Sequence, residues 1–211
     1  MSTDQKIPVL QARFPEEHRY IVQVAERMMK AETRGQLGTT LATEVLRYSM
    51  FDLQVISGRL VQEVNHLPSP YREKVRPYFM EQVFGAYHSL LVIHRAGDWA
   101  RYSSGVRNRE DLVNFCRMVP DGCFAWDEPG ERSPSFFYHP KFRLFYYLMA
   151  AFSMFVQEKP GHPVGMPFPG GYYVEQRGDS YYCLIRDKEK DVFYSICNFC
   201  PALQSLDTGT P

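Results

Sequence analysis

The chain lacks an excess of charge of either sign. Its 24 lysines and arginines balance its 24 aspartates and glutamates, which gives a formal net charge of +0 at pH 7. Electrostatic attraction to phosphate groups dominates nucleic-acid binding, and this composition provides no obvious source for it. We therefore expect no nucleic-acid partner.

Long apolar runs and a secretory signal are also absent from the sequence. The longest apolar stretch, residues 144–156, is shorter than the about 20 residues that a membrane span needs. Residues 1–11 carry Asp4 and Lys6 and contain no apolar block, so they do not resemble a signal peptide. These features predict a cytoplasmic protein without membrane contact.

Cysteine is scarce, with five residues in a chain of 211. This number is too small, and the spacing too uneven, for a disulfide scaffold. In a reducing compartment such cysteines are core residues, metal ligands or redox groups.

Apolar and aromatic residues make up 45% and 15% of the chain, enough for a buried core, and much of residues 15–157 has helical spacing. The first predicted helix begins at Pro15 and is broken by Gly35 and Gly38, and the second spans 41–67. The third has apolar residues from Met80 to His94, with a possible start at Pro77 and a stop at Gly97. A fourth helix is capped by Asn108 and Asp111, and an aromatic fifth helix spans 141–157. We expect a loop at 120–135.

After residue 159 the pattern changes to proline, glycine and short β-type segments. Strands are predicted at 172–176 and 180–186, joined by a hairpin turn, with a third strand at 192–196. The predicted fold class is α+β, mainly α. A helical bundle at 1–159 carries a small antiparallel β lobe with a cysteine knuckle at 160–211, and the two parts form one compact domain.

The cysteines of this lobe are the candidate functional residues. Cys197 and Cys200 form a Cys-x-x-Cys pair, and a β meander would bring Cys183 within reach of them. Three sulfurs can share one tetrahedral ion, which predicts a zinc site. Its fourth ligand would be either His162 or Cys123, which is expected in the loop after residue 122.

Several functions are compatible with this cluster. A zinc ion with four protein ligands would be structural, and the protein would then be an accessory or protein-interaction factor, with exposed aromatic residues meeting a protein partner. The main alternative is a redox protein or enzyme that uses the cysteines as iron–sulfur ligands or as an exchangeable dithiol. A hydrolase with three ligands and a metal-bound water is a third possibility, and plain buried cysteines are a fourth.

Four short motifs follow one another in the C-terminal third: GHPVG at 161–165, PFPGG at 167–171, YC at 182–183 and CNFCP at 197–201. In this order they resemble DUF2115, an uncharacterised archaeal family found mainly in methanogens. The resemblance implies a cytoplasmic archaeal protein and brings no established activity with it.

Overall fold

The structure, a computed structural model, describes residues 3–125 and 139–205. The helices are α1 (Thr3–Arg13), α2 (Pro15–Lys30), α3 (Arg34–Val45), α4 (Met50–Asn65), α5 (Tyr71–Met80), α6 (Ala86–Ala96), α7 (Arg109–Gly122) and α8 (Pro140–Ala151). A π-helical turn at Glu81–Gly85 joins α5 to α6, and a second at Phe152–Val156 extends α8. A 3-10 turn at Asp98–Tyr102 follows α6.

The core of the molecule is built around the aromatic helix α8. Phe145, Tyr147 and Leu148 are at most 1% exposed. Helix α8 contacts α2, α3 and α7, so it lies at the centre of the helical part, as its nearly continuous apolar sequence predicts. Helix α2 begins at Pro15, and the predicted apolar stripe of this helix is largely buried. Both predictions are confirmed.

The predicted single helix over 41–67 is wrong. The chain forms α3 and α4 instead, with a break at residues 46–49. Ser49 starts α4 with a capping box: its hydroxyl accepts from the Asp52 backbone N–H, and the Asp52 carboxylate accepts from the Ser49 N–H. The cap satisfies donors that a new helix leaves unpaired, so the chain can restart there although apolar spacing continues across the break.

Gly35 and Gly38 do not break a helix, contrary to the prediction, because both lie inside α3. Their role is close packing. A Cβ atom on Gly38 would lie 2.2 Å from a ring carbon of Trp99, and one on Gly35 would lie 2.9 Å from the Trp99 carbonyl oxygen. The glycines therefore let the turn that carries Trp99 rest directly on the helix.

Two further predicted helix signals behave differently from expectation. Asn108 precedes α7, but its side chain makes no capping hydrogen bond there, so the predicted capping box is wrong. Pro77 lies within α5 and does not start a helix. The stop at Gly97 is confirmed, because this residue takes a left-handed conformation with φ 67°.

The predicted loop at 120–135 starts too early. Helix α7 continues through Pro120 to Gly122, and Cys123 and Phe124 after it are fully buried. The rest of that loop, from residue 126, lies outside the described residues.

The C-terminal lobe contains short strands: β1 (Pro167–Phe168), β2 (Tyr172–Tyr173), β3 (Glu175–Arg177), β4 (Ser180–Cys183) and β5 (Leu203–Gln204). Strands β3 and β4 form the predicted hairpin, with Gly178 at φ 60° in the turn. The predicted bounds are too long: the strand at 172–176 is divided into β2 and β3, and the strand at 180–186 ends at Cys183. The predicted third strand at 192–196 is wrong. That region carries irregular backbone and a 3-10 turn at Ile196–Phe199, and β5 pairs with β4 in parallel. The sheet of β3, β4 and β5 is therefore mixed, not purely antiparallel, and β1 and β2 form a separate antiparallel pair.

The α+β, mainly α fold class is confirmed. The lobe packs on the helices through the Tyr147 hydroxyl, which donates to the Tyr194 carbonyl at 3.0 Å, and through edge-on contact of Phe115 with Phe199. No helix in the described ranges is long and apolar enough to cross a membrane. The cytoplasmic location and the division into two parts of one domain stay predictions.

Candidate functional site

Cys183 is placed by the β3–β4 hairpin. It is the last residue of β4, is 5% exposed, and its register partner is Gln204 in β5. The backbone N–H of Ser205 donates to the Cys183 carbonyl at 3.3 Å. Main-chain bonding to the neighbouring segment therefore fixes this thiol at the buried end of the strand.

Cys197 and Cys200 are positioned by the 3-10 turn at Ile196–Phe199. The Ser195 hydroxyl accepts from the Cys197 N–H at 3.2 Å, and the Cys200 N–H donates to the Cys197 carbonyl at 3.2 Å. Such a tight turn folds the Cys-x-x-Cys segment so that both side chains turn inward. Cys197 is 5% and Cys200 is 7% exposed.

The segment Gly161–His162 approaches this turn closely. The His162 Nδ1 lies 3.9 Å from the Cys197 sulfur, and the Gly161 N–H donates to the Cys200 sulfur at 3.4 Å. A Cβ atom on Gly161 would lie 2.8 Å from the Ile196 side chain. Glycine at this position thus permits the approach that brings the imidazole to the thiol.

The three C-terminal cysteines influence one another electrostatically. Burial above all, together with the neighbouring Cys200 and Cys183, raises the pKa of Cys197 to about 12 against the opposing hydrogen bond with Ser195. Burial also raises the pKa of Cys200, where the Gly161 N–H opposes the shift. At neutral pH both thiols are protonated and are therefore poor nucleophiles.

His162 is a neutral imidazole. Its burial lowers its pKa to about 4, and its ring packs edge-on against Phe168. A histidine binds a metal ion only through a neutral imidazole, so the His162 ring has the required protonation state at neutral pH.

Cys123 lies at the C-terminal end of α7, not in a loop as expected. Its N–H donates to the Val119 carbonyl at 2.9 Å, and its side chain is fully buried. Its electrostatic neighbours include Arg143, Tyr48 and Tyr147. Of the two candidates for the fourth ligand, His162 is therefore the one seen in contact with Cys197.

In residues 3–125 and 139–205, no three His, Cys, Asp or Glu side chains are grouped so as to hold a metal ion. What the structure brings together is one thiol–imidazole contact with two further thiols near it. The metal site and its ligand set remain a prediction.

A cavity of about 920 Å³ borders this cluster, and His162 and Cys197 form part of its wall. Three polar residues of the same wall were not predicted from the sequence: Gln82, Arg143 and Tyr146. Arg143 stands between Phe142 and the apolar residues that begin at Leu144, and this position is the signal that could have identified it, whereas Gln82 follows Glu81 and carries no such signal.

Comparison with known proteins identifies the family. The family model described as an uncharacterised protein conserved in archaea, DUF2115, matches residues 33–205. The chain belongs to the DUF2115 family. The match extends from α3 to the end of the described C-terminal lobe and includes all four candidate ligands of the lobe.

Curated relatives of this DUF2115 chain come from methanogens. The UPF0305 protein MJ0646 of Methanocaldococcus jannaschii is 22% identical over 172 residues, which is 82% of this chain and 96% of that protein. A UPF0305 protein of Methanothermobacter thermautotrophicus is 35% identical over 60 residues, 28% of this chain and 37% of that protein. The UPF0305 protein MK0666 of Methanopyrus kandleri is 40% identical over 65 residues, 31% of this chain and 46% of that protein.

The matches to the Methanothermobacter and Methanopyrus relatives thus span less than half the length of those proteins. No solved structure matches the chain.

Proposed function

We propose that the protein is a non-catalytic accessory factor whose C-terminal lobe is fastened by a structural zinc ion bound to Cys183, Cys197, Cys200 and His162. The observation that carries the proposal is the 3.9 Å separation of the His162 Nδ1 from the Cys197 sulfur. Tetrahedral zinc binds sulfur at about 2.3 Å and nitrogen at about 2.0–2.1 Å, so two such ligands lie about 3.6 Å apart. The observed pair is within a few tenths of an ångström of that separation.

The origin of the ligands favours a structural role. They come from three separate segments: the loop after the π turn that extends α8, the end of β4, and the 3-10 turn. An ion shared by these segments would hold together a lobe whose strands are only two to four residues long. Such short strands provide little stability of their own.

Four protein ligands leave no open position for a substrate or an activated water. The hydrolase alternative required that His162 stay away from the ion, and its contact with the Cys197 sulfur speaks for the closed site. The raised pKa of Cys197 and Cys200 disfavours an exchangeable dithiol, because thiol exchange requires a free thiolate. A zinc ion also binds thiolates, but its own charge displaces the thiol protons when it binds.

The proposal also includes a protein partner that contacts exposed aromatic residues, as predicted from the sequence. It rests on exposed aromatic side chains, of which Phe51 is 68% and Phe193 is 64% exposed. Large exposed apolar side chains supply much of the binding energy where proteins meet.

Zinc content in matched cysteine variants tests the proposal. The full chain is purified without oxygen and without a metal-binding tag, and its zinc, iron and sulfide are measured. We expect one zinc per chain, loss of zinc in Cys197→Ser, and retention of zinc in the control Cys116→Ala, which alters a buried cysteine of α7. Equal metal content in both variants, or a chain without zinc, would contradict the proposal. Iron with sulfide would support the redox alternative instead.

A further inference from the structure

The cavity beside the cysteine cluster is a mainly apolar groove between the helices and the C-terminal lobe, and we call it the lobe groove. Helices α4, α5 and α8 line one side of it, and residues of the lobe line the other. Leu60 of α4, Phe79 of α5, Phe142 of α8 and Phe168 of β1 belong to its wall. Its volume of about 920 Å³ lies near the upper end of the about 300–1,000 Å³ typical of small-molecule pockets.

Two large apolar side chains are exposed to water at the edge of the lobe groove. Phe193 is 64% and Val192 is 49% exposed, although both belong to the residues that line it. A ligand confined to the cavity would leave the exposed part of these side chains in water, whereas a peptide segment lying across the opening would cover it. Exposed apolar surface beside a groove is typical of protein interaction sites. The edge of the groove therefore favours a segment of another protein as its occupant.

The charged residues of the groove give it a negative edge. Its lining contains three carboxylates and two arginines, so one negative charge is left over by count. Arg59 and Glu63 form an ion pair at 2.9 Å. Arg143 is directed into the interior, because its Nε is buried and its guanidinium hydrogen-bonds a buried tyrosine hydroxyl of α8. The negative charge at the edge therefore comes from Glu189 and Asp191, which we call the lobe carboxylates.

The basic residues beside the lobe carboxylates in sequence interact with other groups. Arg186 and Lys190 each lie 2.9 Å from a carboxylate oxygen of Asp187, and Lys188 lies over the ring of Tyr172. Within residues 3–125 and 139–205, no lysine, arginine or histidine nitrogen is at salt-bridge distance from either lobe carboxylate. The fold thus separates the alternating charges of this segment and leaves two carboxylates at the groove without a counter-ion.

We propose that the lobe groove is the docking site of the protein partner, and that the partner presents a short apolar segment flanked by lysine or arginine. The apolar side chains fill the groove and cover Phe193, and the basic side chains pair with the lobe carboxylates. Opposite charges across an interface select the partner and set its orientation, and an acidic segment is rejected by like charge. This inference rests on the protein partner in the proposed function, to which it adds the binding site and the chemistry of the partner.

Selection from a random peptide library displayed on phage tests the proposal, with the full chain as the target. We expect the selected peptides to be richer in apolar residues and in lysine and arginine than the unselected library, and poorer in aspartate and glutamate. The chain itself has a formal net charge of +0, so a preference for basic peptides reports a local charge and not general attraction. The most frequent peptide is then synthesised with a fluorescent label, and its Kd is measured by anisotropy.

A matched pair of phenylalanine variants locates the apolar contact. Phe193→Ser should weaken binding of the labelled peptide about tenfold or more. Phe51→Ser makes the same change at a 68% exposed phenylalanine outside the groove and should leave the Kd unchanged. Both side chains are largely exposed, so both variants should melt like the natural chain.

A matched pair of charge variants locates the ionic contact. Glu189→Gln combined with Asp191→Asn should weaken binding about threefold to tenfold and should reduce the dependence of the Kd on salt concentration. The control combines Glu16→Gln with Glu26→Gln, which removes two exposed carboxylates of α2, and should change neither quantity.

The zinc content of the same samples separates this proposal from the proposed function. All these variants retain Cys183, Cys197, Cys200 and His162. A chain that contains zinc but binds no peptide through Phe193 overturns the docking site alone. A chain without zinc contradicts the proposed function, whether or not such a peptide is found.

Three results would overturn the docking proposal: no selected peptide, selected peptides rich in acidic residues, or a Kd that Phe193→Ser leaves unchanged. Sedimentation equilibrium of the chain alone supplies a fourth. A dimer that Phe193→Ser dissociates would place a second copy of the chain in the groove and would also overturn it.

Discussion

Replacement of Gly38 by alanine separates two explanations of the glycines in α3. If Gly38 only weakened the helix, alanine would stabilise the protein by about 1 kcal/mol through its better helix propensity. In the structure, however, an added Cβ would lie 2.2, 2.5 and 2.9 Å from three carbons of the Trp99 ring. Ordinary contact begins at about 3.4 Å, so the ring must move by more than about 1 Å.

The expected net effect of Gly38→Ala is destabilisation. Overpacking costs about 1–3 kcal/mol, and the upper part of that range applies because all three close contacts belong to one rigid ring. After subtraction of the propensity gain, we expect a loss of about 1–2 kcal/mol, and a Tm lower by about 2–8 °C for a chain of this length.

Thermal unfolding followed by circular dichroism measures this effect. Gly105→Ala is the matched control, because a Cβ atom there would meet nothing closer than 3.8 Å. The double variant Gly38→Ala with Trp99→Leu should show less than the sum of the two single losses, since the clash is then absent. A Tm of Gly38→Ala equal to or above that of the natural chain would refute the reasoning.

Two further predictions concern buried or paired carboxylates. Glu44, 2% exposed, lies 2.8 Å from Arg27 and accepts from the Tyr20 hydroxyl, so Glu44→Gln should cost about 1–3 kcal/mol in chemical denaturation. Burial together with Glu44 raises the pKa of Tyr20 to about 12, and the same variant should lower that pKa in a spectrophotometric titration; an unchanged value would contradict the assignment. Burial alone would raise the pKa of Asp52, but hydrogen bonds, with that from Lys141 the strongest, hold it below its ordinary value of 3.8. The folded protein therefore loses this stabilisation as the pH falls through that lowered pKa, and Asp52→Asn should flatten the stability curve below about pH 4.

Local signals in the sequence predicted local structure well. Pro15 at the start of α2, Gly97 at the end of α6 and the hairpin turn with Gly178 each depend on the backbone preference of a single residue, which needs no knowledge of distant contacts. The aromatic helix α8 was predictable for a similar reason, because a segment that is apolar on all sides must be buried.

Structure that depends on distant contacts was not predictable in this way. The parallel pairing of β5 with β4 joins residues 21 apart in sequence, such as Cys183 and Gln204, and no periodicity in the chain indicates it. The role of Gly38 depends on Trp99, which reaches α3 only in the folded chain. A glycine seen in sequence alone indicates a helix break more often than a packing site.

Some residues of the candidate site were likewise predictable from local sequence, and others depend on the tertiary structure. The Cys-x-x-Cys spacing identified Cys197 and Cys200, because two residues in one tight turn are close whatever the rest of the fold. The choice between His162 and Cys123 required the tertiary structure, which puts His162 against Cys197 and Cys123 at the end of α7. That Glu189 has no ion pair among the described residues could not be predicted, since the lysines on either side of it in sequence find other contacts only in the folded chain.

X-ray absorption at the zinc edge tests the central claim most directly. On untagged full-length protein with one zinc per chain, we predict a shell of three sulfurs at about 2.3 Å and one nitrogen at about 2.0–2.1 Å. That shell should lose its nitrogen contribution in His162→Ala and remain unchanged in Cys123→Ala. A natural chain without zinc, or zinc whose shell is unchanged by His162→Ala, would contradict the account.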